Sequence, residues 1–396
     1  MIPGKASSPS VFSSGAAAEP KKSFAAIAAL PAITKRLLVP AVVLVLVALG
    51  VFGRQAGAAR IWSALLLNDV YLVSLALAAM VFVAIQVLTQ AEWWLPLRRV
   101  PEAMVSVLPV AAALLLPLFF GRTTLYPWSR PGAVAHDALI AAKSAYLNTP
   151  FFFLRLAVVL AIWTLMALRL RRIVRLQESG GEAAESRRRA KNLAALFVPV
   201  FAVTWSVASF DWLMSLDPHW YSTIFAVYCF AGLFLGGIAA IALVVVLLRG
   251  AGLLGARVDE RHLHDLGTLL FGFSTFWAYI WVSQYLLIWY GDIPEEVTFY
   301  VARTTGPWSP WFFAAFALEW LIPFLVLLPR AAKRNPKILA TVAALVLLNR
   351  WIDLYVQIGP PVLGTPQVGV FEVLLAVAYG GLFLGLCWRG FGRRAV

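Results

Sequence analysis

Charge is scarce in this sequence. Only 13% of its 396 residues are Asp, Glu, Lys or Arg, against about 25% in a typical soluble domain. A chain needs a charged surface to stay dissolved, so the composition excludes an ordinary soluble globular protein. Cysteine is also scarce, with Cys229 and Cys387 as the only two. Two cysteines and no CxxCH motif exclude a disulfide scaffold, a cysteine-ligated iron–sulfur cluster and a c-type haem attachment site in this chain.

Long apolar runs dominate what is present. Hydrophobic residues make up 61% of the chain, and a helix needs about 20 of them to cross the roughly 30 Å hydrocarbon core of a bilayer. Ten runs predict an all-α polytopic membrane protein with ten transmembrane helices. They are Leu37–Phe52, Val70–Gln90, Ala103–Phe120, Phe151–Leu170, Leu193–Met214, Tyr221–Leu248, Leu266–Tyr290, Trp311–Leu328, Ile338–Gln357 and Val368–Trp388. The first run is short enough to be a signal peptide, but no small-x-small cleavage site follows it, which favours a retained helix.

Basic residues are divided unequally between the two sides of the membrane. With the N-terminus in the cytoplasm, 25 of the 33 Lys and Arg residues fall on inner segments, 6 on outer loops and 2 inside spans. Cytoplasmic loops are enriched in Lys and Arg, so we expect both termini inside. The domains are then a largely disordered cytoplasmic tail at 1–36, a membrane domain at 37–388 and a cytoplasmic tail at 389–396. This topology, rather than binding to nucleic acid, explains the net charge of +14.

Six ionisable residues inside the predicted spans require an explanation, because inserting a charged side chain at a helix centre costs about 2.5–3.5 kcal/mol. They are Arg155, Asp211, Glu319, Arg350, Asp353 and Glu372. At about 1.5 Å of rise per residue, Glu319 falls near the midplane. The other five are expected in one layer near the outer face, joined there by Asp217 and His219.

Two interpretations of this layer stay open. In the structural one, Arg350 and Asp353 form an ion pair at i, i+3, and Arg155 pairs with Asp211 or Glu372. In the functional one, the layer handles protons at the outer face. Asp211, Asp353 and Glu372 are then candidates for a proton pathway.

The seventh predicted helix carries a polar stripe. Its members are Ser274, Thr275, Tyr279, Ser283 and Gln284. Most of them are expected on one face, where they would hydrogen-bond neighbouring helices. The alternative is that Ser274, Thr275 and Tyr279 continue from Glu319 as an inward proton wire.

The four histidines lie at the wrong depths for haem b, which needs axial ligands from facing helices. They are His136 in an outer loop, His219 in a turn, and His262 and His264 near the inner surface. We therefore expect no haem in this chain and no metal site. The HLH sequence is interpreted as a solvated helix start.

Two stretches resemble a known family of membrane subunits. They are FDWLMSLDPHWYSTIFAVYCFAGLFLGGIAAI (Phe210–Ile241) and LNRWIDLYVQIGPP (Leu348–Pro361). Both are similar to segments of the ActF-type membrane subunit of bacterial alternative complex III, a quinol:cytochrome c or electron-acceptor oxidoreductase. That subunit belongs to the NrfD/polysulfide-reductase-like superfamily. The chain length and the ten-helix topology are also similar.

The resemblance implies two four-helix bundles, helices 2–5 and 6–9, flanked by helices 1 and 10, in the bacterial cytoplasmic membrane. It implies as partners a sister NrfD-like membrane subunit, an iron–sulfur subunit and c-type cytochrome subunits, besides lipid. Haem c and iron–sulfur clusters are then expected only in those partners. This chain would be a scaffold and a candidate proton route without an electron-carrying cofactor of its own, and quinone is its candidate ligand.

Two other functions stay open. As a quinol-oxidising anchor subunit, the chain would have its own quinone site, with Asp211 or His219 accepting the proton of a quinol hydroxyl. As a secondary transporter, it would contain inverted repeats and helices broken near the midplane. Pro199 and Pro323 lie inside spans, but no repeat between the two halves is evident.

Overall fold

The computed structural model describes residues 22–178, 183–254 and 258–392. Within these ranges there is no β-strand; nine helices are long and apolar enough to cross a membrane, and a bent pair of helices makes ten if it is counted as one span. In chain order they are α1 (Lys22–Val47, continued by a π-helical turn at Ala48–Phe52), α2 (Ala58–Leu88), α3 (Arg99–Leu114 and Leu118–Leu125), α4 (Thr149–Glu178), α5 (Ala183–Trp212), α6 (Phe225–Gly250), α7 (Glu260–Gly291), α8 (Gly306–Leu327), α9 (Pro336–Leu363) and α10 (Val370–Gly392).

These helices confirm the predicted all-α polytopic membrane fold, and each predicted apolar run overlaps one of them. α2 begins at Ala58 and not at the predicted Val70. α1 also begins early, at Lys22, within the segment predicted as a disordered tail. Residues 1–21 and 393–396 of the two predicted tails lie outside the described residues.

The outside of the bundle is covered by large apolar side chains. Leu46, Leu154, Val203, Leu325 and Leu348 are all more than half exposed, although they lie within the long helices. Apolar surface of this extent would cause association in water. In a bilayer it contacts lipid tails, as expected for membrane-spanning helices.

The two expected four-helix bundles are present and share one core. In the first bundle α2 packs against α3 and α5, and α4 packs against the same two helices. In the second bundle α6 packs against α7 and α9, and α8 lies between those two. Contacts of α2 with α6 and α9 join the bundles. We call the end of the molecule where α2 begins and α9 ends the outer end, following the predicted topology.

The first and last helices form a closely packed pair. α1 packs mainly against α10, which also contacts α2 and α3. Gly381 and Gly385 permit the approach: an added Cβ would lie 3.3 Å from Ala41 Cβ at the first and 2.6 Å from Leu38 Cδ2 at the second. Small residues four apart are typical of close helix contacts in membranes.

α3 is a bent pair of helices, with 66° between its two parts. Pro117 lies in the break, where its missing N–H and its ring interrupt helical hydrogen bonding. Beyond the bend, Gly121 packs so closely on α2 that an added Cβ would lie 2.2 Å from Trp62 Cδ2. The outer part of α3 is therefore supported directly by α2.

Candidate functional site

Three charged side chains meet in the core of the second bundle. Arg350 Nη1 donates a 2.6 Å hydrogen bond to Asp353 Oδ2, and Arg350 Nε lies 3.6 Å from Glu319 Oε1. One guanidinium thus lies between two carboxyl groups, and all three side chains are almost completely buried. With the uncharged groups that bind them, these residues form what we call the central network. Its members are Tyr228, Glu319, Asn349, Arg350, Asp353 and Gln357.

Glu319 lies on a widened turn of α8. The π-helical turn Ala317–Leu321 contains it, and such turns are frequent at functional sites. Asn349 Nδ2 donates to Glu319 Oε2 at 2.6 Å and to Ala315 O at 2.9 Å. Glu319 Oε1 is buried and has no hydrogen-bond partner among the described residues. One oxygen of this carboxyl group is therefore fixed, and the other is free to accept a proton.

Asp353 is held by three donors. Its Oδ2 accepts hydrogen bonds of 2.6 Å from Arg350 Nη1 and from Gln357 Nε2, and its Oδ1 accepts one from the Tyr228 hydroxyl. Positions 350, 353 and 357 follow helical spacing, so they share one face of α9. Because Tyr228 belongs to α6 and Glu319 to α8, the central network connects three helices.

Glycines of α6 make room for the arginine. A Cβ added at Gly232 would lie 2.3 Å from Arg350 Cζ, and one at Gly236 would lie 3.3 Å from Arg350 Cγ. The α6 backbone is therefore one wall of the central network. Both glycines belong to the stretch Phe210–Ile241, and Arg350 belongs to Leu348–Pro361, so the two sequence motifs meet at this point.

Two further ion pairs lie toward the outer end. Arg155 of α4 binds Asp211 of α5 through two hydrogen bonds, Nε–Oδ2 at 2.7 Å and Nη2–Oδ1 at 3.0 Å. Arg60 of α2 binds Glu372 of α10 in the same way, at 2.6 and 2.7 Å. Asp211, Glu372 and Asp353 bind three different arginines, so the expected outer layer consists of separate ion pairs. Each outer pair connects two helices, as the structural interpretation expects.

His219 lies in the turn after α5, where 51% of its side chain is exposed. Its Nε2 is 2.6 Å from Asp137 Oδ2. Asp137 caps the short helix Ala138–Lys143, and the backbone N–H of Ile140, with a smaller contribution from His219, lowers the pKa of the Asp137 carboxyl group. Asp211 and His219, both within the described ranges, share no hydrogen bond. The two quinone candidates are therefore not brought into direct contact.

A cavity of about 550 Å³ lies at the outer end; it is lined by chain neighbours of Asp211 and His219 but by neither of these two residues. Its walls include Lys143, Tyr146, Phe210, Ser215, Asp217 and Trp220. Ser215 Oγ donates to the backbone oxygen of Asp211 at 2.5 Å, and the Arg155 guanidinium lies 3.8 Å from the centre of the Tyr146 ring. Burial, together with the Asp211 charge, raises the pKa of Tyr146 to about 12. Its hydroxyl is therefore a donor throughout the neutral range.

The polar residues of α7 are divided between faces: Thr275, Tyr279 and Ser283 follow at intervals of four and share one face, and Ser274 lies on another. Ser274 is buried, whereas Tyr279 is 66% exposed. They are five positions apart, which is about 140° around a helix. The hydroxyl groups of Ser274 and Thr275 donate to Phe271 O of their own helix, at 2.9 and 3.0 Å. The structure therefore does not align these three residues with the buried Glu319 as a hydrogen-bonded chain.

Asp69 is a buried carboxyl group that sequence reasoning missed. The Tyr379 hydroxyl donates to Asp69 Oδ1 at 2.7 Å, and Trp351 Nε1 donates to Asn68 Oδ1 at 3.2 Å. Placing the helix start at Val70 left both acceptors outside the predicted span. A signal was present in the apolar sequence ALLL before Asn68, which extends the run toward the N-terminus.

The uncharged members of the central network were also missed as site residues. Tyr228, Asn349 and Gln357 lie in the two motif stretches, but the cost of membrane insertion singles out charged groups and not amides or a phenol. Only the packing of α6 against α9, and of α9 against α8, brings them to the carboxyl groups.

A scan against models of protein families gave no match, and a search of the curated proteins gave no significant match. Within residues 22–178, 183–254 and 258–392, no three His, Cys, Asp or Glu side chains are grouped as metal ligands would be. Fold and site together define a class: a polytopic all-α membrane protein with a buried ionic network in its second bundle.

Proposed function

We propose that this chain is an integral membrane subunit of a respiratory quinol:electron-acceptor oxidoreductase of the alternative complex III type, in a bacterial cytoplasmic membrane. There it holds the assembly and carries protons through its second bundle. The central network is the observation that carries the proton role. The two motif stretches that resemble the ActF-type subunit support the assignment to the complex.

In this proposal Glu319 takes up and releases the proton. Asn349 fixes Oε2, while Oε1 accepts no hydrogen bond and lies 3.6 Å from Arg350 Nε. When Glu319 is protonated, Arg350 and Asp353 balance each other and the network is neutral. When the proton leaves, the network carries one net negative charge, and the same guanidinium stabilises both carboxylates.

The outer cavity favours a second role, contact with a quinol. Its volume of about 550 Å³ lies within the roughly 300–1,000 Å³ common for ligand pockets. Aromatic side chains line it, and a quinol hydroxyl there would need a proton acceptor. Asp217 lines the cavity directly, so it joins Asp211 and His219 as a candidate for that acceptor.

Electron carriers belong to partner subunits in this proposal. Haem c would be bound by c-type cytochrome subunits and iron–sulfur clusters by a separate subunit, with a sister NrfD-like subunit in the membrane. The chain itself would contribute helices, the central network and the outer cavity. A secondary transporter, in contrast, would move its substrate without any of these partners.

Glu319→Gln tests the proton role in the complex isolated from the native host through a tag on this chain. We expect c-type haem to co-purify and quinol oxidation to stay near the wild-type rate. In proteoliposomes the proton-to-electron ratio should fall, because glutamine keeps a hydrogen-bond acceptor for Asn349 but cannot be protonated at neutral pH. Glu295→Gln, on the exposed start of the outer helix Pro294–Thr304, is the matched control.

The possible results separate the parts of the proposal. A tagged chain that purifies without a haem-bearing partner would contradict the assignment to the complex. An assembled Glu319→Gln complex with the wild-type proton-to-electron ratio would contradict the proton role alone. Substrate uptake by vesicles that contain only this chain would favour the transporter.

A further inference from the structure

An apolar pocket of about 190 Å³ lies between α2, α6, α9 and α10. Its walls are aliphatic and aromatic, with Leu72, Leu243, Leu347 and Phe383 contributed by the four helices in turn. It is separate from the outer cavity, with which it shares no lining residue. It also contains no member of the central network.

The mouth of this pocket is at the depth of the lipid tails. Gly380 and Leu384 lie on its α10 side, close to the middle of α10. Leu384 is 45% exposed, and a Cβ added at Gly380 would meet no atom within 4 Å. From Ala376 to Leu384 the wall covers about 12 Å along α10, which is a large part of one leaflet's hydrocarbon.

Polar groups at the wall are already bonded within the protein. These bonds are Tyr71 OH to Leu347 O at 2.9 Å, Tyr379 OH to Asp69 Oδ1 at 2.7 Å, and Trp351 Nε1 to Asn68 Oδ1 at 3.2 Å. A polar head group inside the pocket would have to break one of them and would leave a buried group unsatisfied. The chemistry of the wall therefore selects an occupant that forms no hydrogen bonds.

We propose that this pocket binds a segment of the acyl chain of a membrane phospholipid, which enters past Gly380. A protein cavity of about 150 Å³ accommodates benzene, so 190 Å³ holds a segment of about six to eight carbons. If the pocket were empty, the side chains that line it would lose dispersion contacts on that side. A bound acyl chain restores these contacts and fills the gap between α10 and the two bundles.

The test uses the full chain in nanodiscs made from phospholipid with a photoactivatable diazirine on the acyl chain. After illumination, we expect lipid adducts to concentrate on the α10 segment around Gly380 and on the α9 segment around Leu347. Gly380→Leu places a side chain in the mouth and should lower these adducts at least about tenfold, or about 1.4 kcal/mol of binding. Gly272→Leu is the matched control, because Gly272 lies in α7, away from the pocket, and an added Cβ there also meets no atom within 4 Å.

Other results would overturn the proposal. Adducts spread evenly over the exposed helices, or adducts unchanged by Gly380→Leu, would show that no acyl chain is bound in the pocket. If Gly380→Leu does not fold, Ala376→Leu fills the other end of the same wall and must give the same loss. Adducts that form on the isolated chain and disappear in the assembled complex would assign the pocket to a partner helix instead.

Discussion

At the scale of residues, the second bundle is packed around charge. Arg350 is enclosed by the carboxyl groups of Glu319 and Asp353 on two sides and by the backbone of Gly232 on another. Removing one partner from such a cluster typically costs about 3–5 kcal/mol, because an uncompensated charge is left behind. The geometry adds a second requirement, since the guanidinium fits only where α6 has no side chain.

Gly232→Ala tests this requirement of shape. We expect it to destabilise the chain by about 1–3 kcal/mol, as overpacked cores usually are, because the new Cβ would lie 2.3 Å from Arg350 Cζ. Thermal unfolding of the purified chain in detergent measures the effect. Gly272→Ala on α7, where an added Cβ meets no atom within 4 Å, should unfold at or slightly above the wild-type temperature. Equal unfolding temperatures for the two variants would mean that Arg350 moves aside without cost.

The charged residues of the site could be predicted from the sequence, but most of their partners could not. The cost of burying charge in a membrane identifies Asp211, Glu319 and Glu372 from position alone. Because Asp211 and Glu372 were predicted at the same depth as Arg155, the sequence left both as possible partners for it. The fold assigns it Asp211 because α4 and α5 are neighbours in the first bundle, while Glu372 lies on α10 beside α2 and its Arg60.

At the scale of helices, the ten spans were predictable because their length and apolar content are properties of composition. The exact bounds of the helices and the contacts between them could not be predicted in the same way. Asn68 and Asp69 lie in the part of α2 before the predicted start, and their partners Trp351 and Tyr379 come from α9 and α10. The close approach of α1 to α10 depends on which face Gly381 and Gly385 present to α1.

A disulfide cross-link between the two helices tests how closely α1 approaches α10. In a Cys387→Ala background, the pair Ala41→Cys and Gly381→Cys should cross-link under mild oxidation. A Cβ at position 381 would lie 3.3 Å from the Cβ of Ala41, near the roughly 3.5–4.5 Å typical of disulfides. Adding Gly385→Leu should suppress the cross-link, since its Cβ would lie 2.6 Å from Leu38 Cδ2.

Gly380→Leu provides the control for that experiment. It makes the same substitution on the same helix, at a position where an added Cβ meets no atom within 4 Å, so the cross-link should form as before. If Gly385→Leu cross-links equally well, the glycine contact between α1 and α10 is not what brings the helices together.

At the scale of the whole molecule, the two ends of the bundle differ in charge. Both outer ion pairs, Arg60–Glu372 and Arg155–Asp211, lie at one end. The opposite end carries the short basic helix Arg330–Arg334 after α8 and the basic ends of α4 and α5. This distribution is the one expected of a cytoplasmic face.

Reporter fusions measure this orientation. Because Lys and Arg divide 25 to 6 between the predicted inner and outer segments, fusions at Arg187 and Arg334 should be active only with a cytoplasmic reporter. Fusions at Thr123 and Glu296 should be active only with a reporter that works outside. A fusion at Arg187 that reports the outside would reverse the whole topology.

The pairing of α1 with α10 also has a consequence for how the protein is made. Of the ten helices, α1 is synthesised first and α10 last, yet α10 is the main protein neighbour of α1. Only 11% of the apolar window of α1 is buried, so before α10 is inserted lipid surrounds nearly all of it. Both four-helix bundles can assemble during that interval, and the arrival of the final helix then fixes the first one in place. A ribosome that stops within α10 would thus release two complete bundles with an unattached leading helix.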